Sequence, residues 1–416
     1  MSVLTLTGLY VILSIPVKLL LLLLSYPFVG GFGRKYKHHL GHSLRLLLCR
    51  TGLMVPVRDC AYICIYSNEV LLKTIIKILH RNYLNKEKLN DYGKRYDENS
   101  FWIVKQPDIK KNDPIIVYLH GGGYYFETMP SQIESLLAVQ KLLDPSLRSK
   151  VSILLLDYKL ACRGYTMPNQ LNELHQTYKR LAFEEGYTNI SFIGDSAGGN
   201  LAVTYLQYLK LVNEKTPIVY PNKVVLISPW VKVAIEEHQY APGNSMYDND
   251  PIDMIQYRAF HDVDRAKAIV GPSNVHSLLI SPGNTPYKHD DWTSIPTLSS
   301  PTSDILVLVG EDEVFRDDVL TWAKYALGVP LYGKYKYGDS EGKNLNKLTY
   351  IRKSDEKSAG IRFYIEPWGV HDSTLFFESH LLRKLTKNPK LTIDALDQDE
   401  FFGITRIVKF LNETLT

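Results

Sequence analysis

The feature that most constrains the fold is an alternation of short apolar runs with helix-like segments between residues 113 and 367. The apolar runs are DPIIVYLH (113–120), VSILLLDY (151–158), NISFIG (189–194), KVVLISPW (223–230), DILVLVG (304–310) and IRFYIEP (361–367). Between them, segments such as SQIESLLAVQKLL and GGNLAVTYLQYLKLV carry apolar residues three and four positions apart. Strands that are apolar throughout and alternate with helices indicate a mostly parallel sheet covered by helices on both faces. The sequence therefore predicts an α/β fold.

The composition indicates a globular protein and argues against a nucleic-acid partner. The 416 residues are 45% hydrophobic and 22% charged, which is typical of a globular chain with a full core. The net charge of +4 is too small, and the basic residues are too scattered, to indicate a nucleic-acid partner. The four cysteines, Cys49, Cys60, Cys64 and Cys162, form no metal-ligand pattern. We interpret Cys60 and Cys64 as small buried hydrophobic residues.

Residues 1–33 differ from the rest of the chain and predict a transmembrane anchor. From Val3 to Gly31 the only charged residue is Lys18, and Leu19 to Leu24 is an unbroken leucine run. About 20 residues of α-helix cross the hydrocarbon core of a bilayer, so this segment is long enough to span it. A cleaved signal peptide and a buried core helix are the alternatives. Basic residues that favour a cytosolic C-terminal side follow the segment, namely Arg34, Lys35, Lys37, Arg45 and Arg50.

The chain divides into three predicted parts. Residues 1–33 are the anchor, residues 34–100 a helical linker or cap, and residues 101–416 the α/β domain. Residues 249–271 predict a helical insertion, placed so that it can cover the strand ends as a lid. Residues 333–360 are polar, rich in Gly and Lys and without periodicity, so they predict a surface loop with little structure.

A serine lies between glycines at the end of the third apolar run, in FIGDSAGGN (192–200). Gly194 and Gly198 flank Ser196, and a helix-like segment follows at once. A sharp strand-to-helix turn of small residues lifts a serine hydroxyl above the carboxyl end of a parallel sheet. The alternative is a glycine-rich turn or phosphate loop whose serine takes no part in chemistry. We predict that Ser196 is a nucleophile.

A triple glycine follows the first apolar run, in His120-Gly121-Gly122-Gly123. Backbone N–H groups with no side chains in the way can bind the oxyanion of a tetrahedral acyl-transfer intermediate. We predict an oxyanion hole from the N–H groups of Gly122, Gly123 and Ala197, the residue directly after the serine. His120 is expected to anchor the loop, and a flexible linker is the alternative interpretation of the motif.

A serine nucleophile needs a histidine base and an acid that orients the histidine, in the chain order serine, acid, histidine for this kind of sheet. Only His371 and His380 follow the fifth run. His371 lies on a loop after the last run and is the predicted base, whereas His380 lies in a helix-like segment. The acid is expected in GEDEVFRDD, directly after the fifth run, which offers Asp312, Glu313, Asp317 and Asp318.

Together these motifs resemble the hormone-sensitive-lipase branch of the α/β hydrolases, which includes arylacetamide deacetylase and bacterial carboxylesterases. HGGG from residue 120, GDSAGG at 194–199 and the late loop that ends at His371 carry the resemblance. LLLDYKLA is also similar to a segment of that branch, although Cys162 stands where a proline is expected. The anchor, GEDEVFRDD and the polar insert make the chain most similar to the fungal steryl acetyl hydrolases. The similarity covers about residues 100 to 416.

The resemblance implies a serine esterase of the α/β-hydrolase fold that deacetylates sterol acetates or similar esters, with no metal or cofactor. Matching the acid motif puts the acid at Glu313, four residues before Asp317, where many relatives carry Asp; Asp312 is the next candidate. In the implied reaction Ser196 attacks the ester, His371 takes its proton, and water then hydrolyses the acyl-enzyme. The resemblance also implies a single-pass protein of the endoplasmic reticulum with a lumenal catalytic domain.

Three other functions stay open at this point. They are a general carboxylesterase or lipase, an acyltransferase with the same triad, and a non-catalytic binding protein of the same fold. Tyr124, Tyr125 and Phe126, directly after the glycines, predict a short acyl pocket, unless they pack into the cap. Asn189 and Asn412 lie in glycosylation sequons, and Asn189 opens a core strand.

Overall fold

In the part of the chain that the structure describes, nine strands form one sheet in the order β1-β2-β4-β3-β5-β6-β7-β9-β8. The computed structural model of the chain describes residues 4–63, 66–89, 91–212, 218–331, 348–356 and 358–415. The strands are β1 (Arg95–Asp97), β2 (Ser100–Val104), β3 (Ile115–Leu119), β4 (Ser152–Leu156), β5 (Ile190–Asp195), β6 (Lys223–Ile227), β7 (Asp304–Gly310), β8 (Thr349–Arg352) and β9 (Gly360–Glu366). Neighbours among β3–β7 and β9 pair in parallel. These six strands are the six predicted from the apolar runs.

Helices cover both faces of the sheet. The longer ones are α1 (Leu6–Val29), α2 (Leu40–Gly52), α3 (Val57–Ile63), α4 (Pro130–Leu142), α5 (Asn169–Lys179), α6 (Ala197–Leu209), α7 (Val263–Val270), α8 (Arg316–Leu327), α9 (Leu381–Lys387) and α10 (Phe402–Thr414). Shorter α-helical turns are Asn68–Val70, Lys77–Leu79, Arg81–Lys86, Pro145–Arg148, Ser245–Asp248, Tyr257–Phe260, Asp290–Thr293, Pro296–Ser299 and Ser373–Phe377. Turns of 3-10 helix are Ala161–Arg163, Glu237–Gln239, Pro282–Asn284 and Ile393–Ala395, and π-helical turns are Leu71–Ile76 and Arg180–Glu184.

The core lies on both sides of the sheet, which explains why the central strands are apolar throughout. In β3, Ile115 and Val117 belong to a buried cluster that includes residues of α5, α6 and α8. Ile116 and Tyr118 point the other way, into a cluster with residues of α4, α9 and α10. Successive side chains of a strand alternate between faces, so a strand covered on both sides needs an apolar residue at every position.

The edges of the sheet depart from the sequence-based expectations. β1 and β2 begin inside residues 34–100, which were predicted to be helical, and they pair antiparallel next to β4. β8 lies inside residues 333–360, predicted as a loop, and pairs antiparallel with β9. A short strand at the edge of a sheet has only one neighbouring strand and is partly exposed, so its residues need not be apolar. The sequences of β1 and β8 therefore give little indication of a strand. Residues 332–347 and 357 lie outside the described part of the chain.

The N-terminal helices pack onto the same body as the sheet. α1 is long enough and apolar enough to cross a membrane by length and composition. Thr5 caps its first turn, with the side-chain oxygen accepting a hydrogen bond from the N–H of Gly8. α2 and α3 follow, and the side chain of Cys60 on α3 is buried in the core, as predicted. Cys64 lies outside the described residues.

Candidate active site

Ser196 lies in a sharp turn between β5 and α6. Its backbone has φ +50° and ψ −114°, which L-residues rarely adopt and which marks the strained turn that presents a nucleophile. The flanking positions have no room for any residue larger than glycine. A Cβ on Gly194 would lie 2.5 Å from the carbonyl oxygen of Gly198, and a Cβ on Gly198 would lie 1.8 Å from that of Leu119. The sequence folds this way locally because only glycines leave room for the turn.

A continuous chain of hydrogen bonds joins Ser196, His371 and Glu313. Ser196 Oγ lies 2.9 Å from His371 Nε2, and His371 Nδ1 lies 2.9 Å from Glu313 Oε1. The second oxygen of Glu313 accepts hydrogen bonds from Ser228 Oγ (2.7 Å) and from the N–H of Gly310 (2.9 Å). All three side chains are buried. The structure thus brings together the three residues that the sequence nominated.

The other nominated residues lie elsewhere. Asp312 forms a salt bridge with Arg34, whose Nε lies 2.9 Å from Asp312 Oδ2. Asp317 and Asp318 accept hydrogen bonds from the loop between β6 and α7. His380 pairs with a glutamate near the start of α10. None of these four contacts involves the serine or its histidine.

The glycine loop after β3 has the backbone shape that an oxyanion hole needs. Gly122 has φ +109° and Gly123 has φ +61°. A Cβ on Gly123 would lie 2.5 Å from the ring of Tyr125, and one on Gly122 would lie 2.9 Å from the Cβ of Phe126. Neither glycine N–H donates a hydrogen bond to another described residue, so both remain available to a ligand. Ala197 begins α6 beside them, and its N–H is among the unpaired donors of a helix N-terminus.

Asp195 ties the glycine loop to the nucleophile turn. Its Oδ1 accepts hydrogen bonds from Tyr118 Oη (2.6 Å) and from the N–H of Gly121 (3.0 Å). Its Oδ2 accepts one from Gln132 Nε2 (2.7 Å). Burial raises the pKa of Asp195 to about 6, although these three hydrogen bonds lower it. The sequence contained this residue inside GDSAG, but its role there was not predicted.

His120 anchors the start of the same loop. Its ring stacks on Tyr158 at 4.1 Å between centroids, and its Nδ1 lies 2.7 Å from the carbonyl oxygen of Gly121. Burial lowers the pKa of His120 to about 4, so the ring is neutral at physiological pH. A buried, stacked and neutral imidazole fits the predicted anchoring role.

Asp253, in the insertion at 249–271, holds the backbone of two site loops. Its Oδ1 accepts a hydrogen bond from the N–H of His371, and its Oδ2 accepts one from the N–H of Val314, both at 2.8 Å. Burial raises the pKa of Asp253 to about 7, while the nearby His371 lowers it. Sequence reasoning missed this residue. No motif surrounds it, and only its place in the predicted lid pointed to the site.

A third carboxyl group, that of Asp372, lies beside the imidazole. Asp372 Oδ2 is 3.3 Å from His371 Nε2, and its N–H bonds to Ser228 Oγ at 3.1 Å. Burial raises the pKa of Asp372 well above its usual range. Burial also lowers the pKa of His371, but Asp372, Glu313 and Asp253 outweigh it and raise that pKa overall. Positive charge that develops on the imidazole is therefore stabilised by the carboxyl groups around it.

An aromatic wall of Trp230, Phe260 and Phe315 borders the imidazole through Phe315. The ring of Phe315 meets that of His371 edge-on at 5.3 Å, and Trp230 stacks on Phe315 at 6.0 Å. Phe260, from the insertion, stands perpendicular to both Trp230 and Phe315. Such edge-to-face packing of aromatic rings makes a stiff apolar surface.

The aromatic residues after the glycines are held by other protein groups. Tyr124 Oη donates to Asn200 Oδ1 at 2.7 Å, and Tyr125 Oη accepts from the guanidinium of Arg265 at 2.6 Å. Both tyrosines are fully buried. Their part in an acyl pocket stays a prediction. Within the part of the chain that the structure describes, no group of three or more His, Cys, Asp or Glu residues is arranged to hold a metal ion.

Several known proteins are similar to this chain in sequence or in fold. Residues 6–341 match the model of a family described as steryl acetyl hydrolase. The chain is 31% identical over 335 residues to mug81, a steryl acetyl hydrolase homologue of Schizosaccharomyces pombe, covering 76% of this chain and 83% of that protein. It is 25% identical over 240 residues to steryl acetyl hydrolase 1 of Saccharomyces cerevisiae, covering 52% of this chain and about half, 54%, of that protein.

A solved structure shows the fold. It is an esterase of the bacterial hormone-sensitive lipase family, which superposes with a TM-score of 0.50 at 20% identity. The alignment covers 89% of this chain and 98% of that one. The α/β-hydrolase fold and the resemblance that the motifs carried are therefore confirmed. With this fold and these relatives, the chain belongs to the steryl acetyl hydrolase family and is a carboxylic ester hydrolase.

Proposed function

We propose that the chain is a serine esterase that removes the acetyl group from sterol acetates or similar esters of apolar alcohols. The observation that carries the proposal is the unbroken hydrogen-bonded chain from Glu313 through His371 to Ser196. The names of the relatives, steryl acetyl hydrolases of two yeasts, support the substrate class.

Acylation begins at Ser196. Its Oγ attacks the ester carbonyl carbon while Nε2 of His371 accepts the hydroxyl proton. Glu313 keeps the proton of Nδ1 in place and stabilises the imidazolium that forms. The imidazolium then gives its proton to the departing alcohol oxygen, which leaves an acetyl group on the serine.

Deacylation repeats these steps with water. His371 takes a proton from the water as its oxygen attacks the acetyl carbonyl, and then returns the proton to Ser196 Oγ. Acetate leaves and the free serine is restored. In both halves, the N–H groups of Gly122, Gly123 and Ala197 bind the oxyanion. Loss of one such donor typically raises the barrier by about 3 kcal/mol.

Two further residues position the catalytic groups. Ser228 Oγ donates to Glu313 and accepts from the N–H of Asp372, so it fixes the carboxylate relative to the histidine loop. Asp253 fixes the backbone of His371 itself. Positioning of this kind matters because a displacement of about 1 Å can lower a rate about 100-fold.

The aromatic wall supports selection of a small acyl group. Phe315, which packs against Trp230 and Phe260, contacts the imidazole, and Ser196 is only 6% exposed. A large apolar alcohol gains about 25 cal/mol for each Å² of apolar surface that it buries. We infer that the alcohol side of the site is roomy and apolar and the acyl side short.

A comparison of steryl acetate with the oleate ester of the same sterol tests the substrate class. The purified chain should hydrolyse the acetate with a kcat/KM at least about tenfold higher, and Ser196→Ala should abolish both reactions. Equal or faster hydrolysis of the oleate would instead identify a general lipase. Formation of a new ester when an alcohol is added would identify an acyltransferase. Failure of Ser196 to react with a fluorophosphonate would identify a non-catalytic relative.

We further propose that α1 attaches the enzyme to the endoplasmic reticulum membrane, with the catalytic domain in the lumen. The apolar composition of α1 supports attachment, and the family resemblance supports the lumenal side. Asn85 is exposed, so Glu87→Ser creates a sequon there that only lumenal enzymes can glycosylate. A glycosidase-sensitive increase in mass, absent in the matched Glu87→Ala variant, is the expected result. An unmodified Glu87→Ser chain would place the domain in the cytosol.

A further inference from the structure

We propose that Arg265, in the insertion, is a positioning residue for the oxyanion hole and acts on Gly123 through the ring of Tyr125. The proposal rests on the esterase function proposed above and adds a residue that sets the shape of its oxyanion hole. The evidence is a chain of contacts from α7 to the glycine loop, together with a buried positive charge that has no carboxylate partner in the described part of the chain.

The glycines of the oxyanion hole do not fix their own conformation. Gly122 and Gly123 both have positive φ, and a residue without a Cβ adopts many other backbone conformations almost as readily. Their N–H groups donate to no other described residue. The carboxylate of Asp195 holds Gly121 at the root of the loop, one residue before these donors. The positions of the two donors therefore depend on the residues that pack against them.

Tyr125 packs against both of these glycines. Its N–H donates to the carbonyl oxygen of Gly122 at 3.1 Å. Its ring lies so close to Gly123 that a Cβ there would be 2.5 Å from the ring carbon Cε1. Tyr125 is fully buried, and side chains in a close-packed interior have little room to move. A displacement of this ring would therefore displace the backbone whose N–H groups are proposed to bind the oxyanion.

Arg265 holds the hydroxyl end of the Tyr125 ring. Its Nη1 donates to Tyr125 Oη at 2.6 Å, and its Nη2 donates to the carbonyl oxygen of Val55 at 3.1 Å. Val55 lies between α2 and α3, so one guanidinium joins the insertion, the linker and the glycine loop. A planar, forked guanidinium holds two acceptors in a fixed relation, which the single ammonium group of a lysine does not.

The positive charge of Arg265 is buried at a cost to stability. The residue is only 5% exposed, and a guanidinium keeps its charge in proteins. Within the described ranges its acceptors are a phenol oxygen and a backbone carbonyl oxygen, and its Nε is buried without a hydrogen-bond partner. Cation–π contacts with Tyr125 and Phe260, at 5.2 and 5.7 Å, offset part of this cost. A buried charge without a carboxylate partner is unfavourable for folding, so a role in the site accounts for it better than packing does.

The contact makes the oxyanion hole dependent on the insertion. α7 packs against α3, and Arg265 extends from α7 to the glycine loop. Phe260, in the same insertion, packs edge-to-face on Phe315, which borders His371. The insertion thus acts on the oxyanion donors through Arg265 and on the imidazole through Phe315. An ester should meet a complete oxyanion hole only while the insertion is docked on the domain.

Steady-state kinetics of the purified full chain test the role of Arg265. Arg265→Met removes the charge and the fork but keeps an apolar chain. It should lower kcat for the soluble ester p-nitrophenyl acetate by about 10- to 100-fold and change KM by less than about threefold, because the contact acts on the transition state. Rates are expressed per active site, counted by complete reaction with a fluorophosphonate, so that unfolded protein does not contribute. Arg258→Met, an exposed change in the same insertion, should leave both constants unaltered.

A transition-state analogue provides the second readout, which reports on the oxyanion hole itself. Ser196 Oγ adds to the carbonyl carbon of trifluoroacetone while its proton passes to Nε2 of His371, and the ketone oxygen becomes an oxyanion with no leaving group. The inhibition constant of this ketone should rise in Arg265→Met by the same factor by which kcat/KM falls. Arg265→Lys, which keeps the charge and one donor group, should recover part of both losses.

Tyr125→Phe keeps the inference testable even if Arg265→Met does not fold. It removes only the phenol oxygen and should lower kcat by a similar factor. Where both variants fold, the double variant should be no slower than Arg265→Met alone, since both changes break one contact.

Other results would overturn the inference. An unchanged kcat per active site in Arg265→Met and Tyr125→Phe would mean that the contact only supports folding. A higher KM with an unchanged inhibition constant would mean that Arg265 binds the substrate and does not shape the oxyanion hole. A wild-type chain that neither hydrolyses the acetate nor reacts with the fluorophosphonate would refute the proposed esterase function itself, so the two failures are distinguished.

Discussion

The loops proposed to perform the reaction and the insertion that covers them are built in different ways. Ser196, Glu313 and His371 each follow a parallel strand, so the sheet sets the distances between them. The insertion at 249–271 consists of short helices and reaches the site through single side chains. The proposed catalytic residues therefore lie in turns fixed by the ends of strands, whereas the insertion has no regular framework of its own.

The largest effect is expected at the nucleophile. Ser196→Ala removes the attacking oxygen and should lower kcat by about 10⁴-fold or more, with the fold intact. Esterase assays and thermal unfolding of the purified variant measure the two properties. Ser228→Ala, which removes the two hydrogen bonds that join Glu313 and the N–H of Asp372 to this hydroxyl, should lower kcat only about tenfold. Retention of more than a few per cent of activity by Ser196→Ala would show that another group attacks.

The acid is the next most sensitive position. Glu313→Gln should lower kcat by about 10³- to 10⁴-fold, because a neutral amide can hold the wrong tautomer of His371 and cannot stabilise its charge. Asp312→Asn is the matched control on the same loop. Its carboxylate pairs with Arg34, so its change should have little effect on kcat. The reverse ranking of the two variants would move the acid to Asp312.

A smaller effect is expected where the insertion holds the catalytic loop. Asp253→Asn replaces one oxygen of a carboxylate that accepts backbone hydrogen bonds from His371, Val314 and Met254. It should lower kcat by about 10- to 100-fold with little change in KM. Asp264→Asn, an exposed change on α7, should leave kcat unaltered. Equal loss in both variants would mean that the insertion acts as a whole and not through this carboxyl group.

Asp253→Asn should also change how the free energy of unfolding depends on pH. The pKa of Asp253 is about 7 in the folded chain and near 4 in an unfolded one. Between these values the unfolded chain has released a proton that the folded chain keeps, so the free energy of unfolding falls as pH rises through this window. Asp253→Asn should therefore lose less stability than the wild type between pH 4 and 8, by a few kcal/mol at most. Parallel melting curves for both proteins would refute this linkage.

The smallest effect concerns selectivity. Phe260→Ala opens the aromatic wall from the side of the insertion and should raise the kcat/KM ratio of octanoate to acetate esters by about tenfold. Val263→Ala, an exposed change in the same insertion, should not alter that ratio. The Phe260 variant will also melt earlier, since removing a buried ring costs about 3–5 kcal/mol. An unchanged ratio would show that the wall does not border the acyl group.

The two regions also differ in how far they could be predicted. Six parallel strands were evident because each is buried on both faces and apolar throughout. Ser196 and the glycines around it could be located because their turn excludes larger side chains. Glu313 needed the resemblance, since five acidic residues follow β7 within eight positions and spacing alone does not separate them.

Other features could not be predicted, because the sequence around them has no distinctive pattern. Asp253 contacts the site only through tertiary packing, and no local sequence motif predicts such a contact. β1 and β8 are edge strands, whose half-exposed residues resemble those of loops.

The three hydrogen bonds of Asp195 make one side chain a spacer between the proposed nucleophile and the proposed oxyanion donors. Its backbone leads directly into Ser196, and its carboxylate holds the N–H of Gly121 at the root of the glycine loop. The length of the Asp195 side chain thus fixes the distance between Ser196 and the glycine loop in the free protein. The tetrahedral carbon of the proposed intermediate would lie between these two. A glutamate at this position, longer by one methylene, would push the two halves of the site apart. The spacing of the proposed site therefore depends on a side chain with a single methylene group.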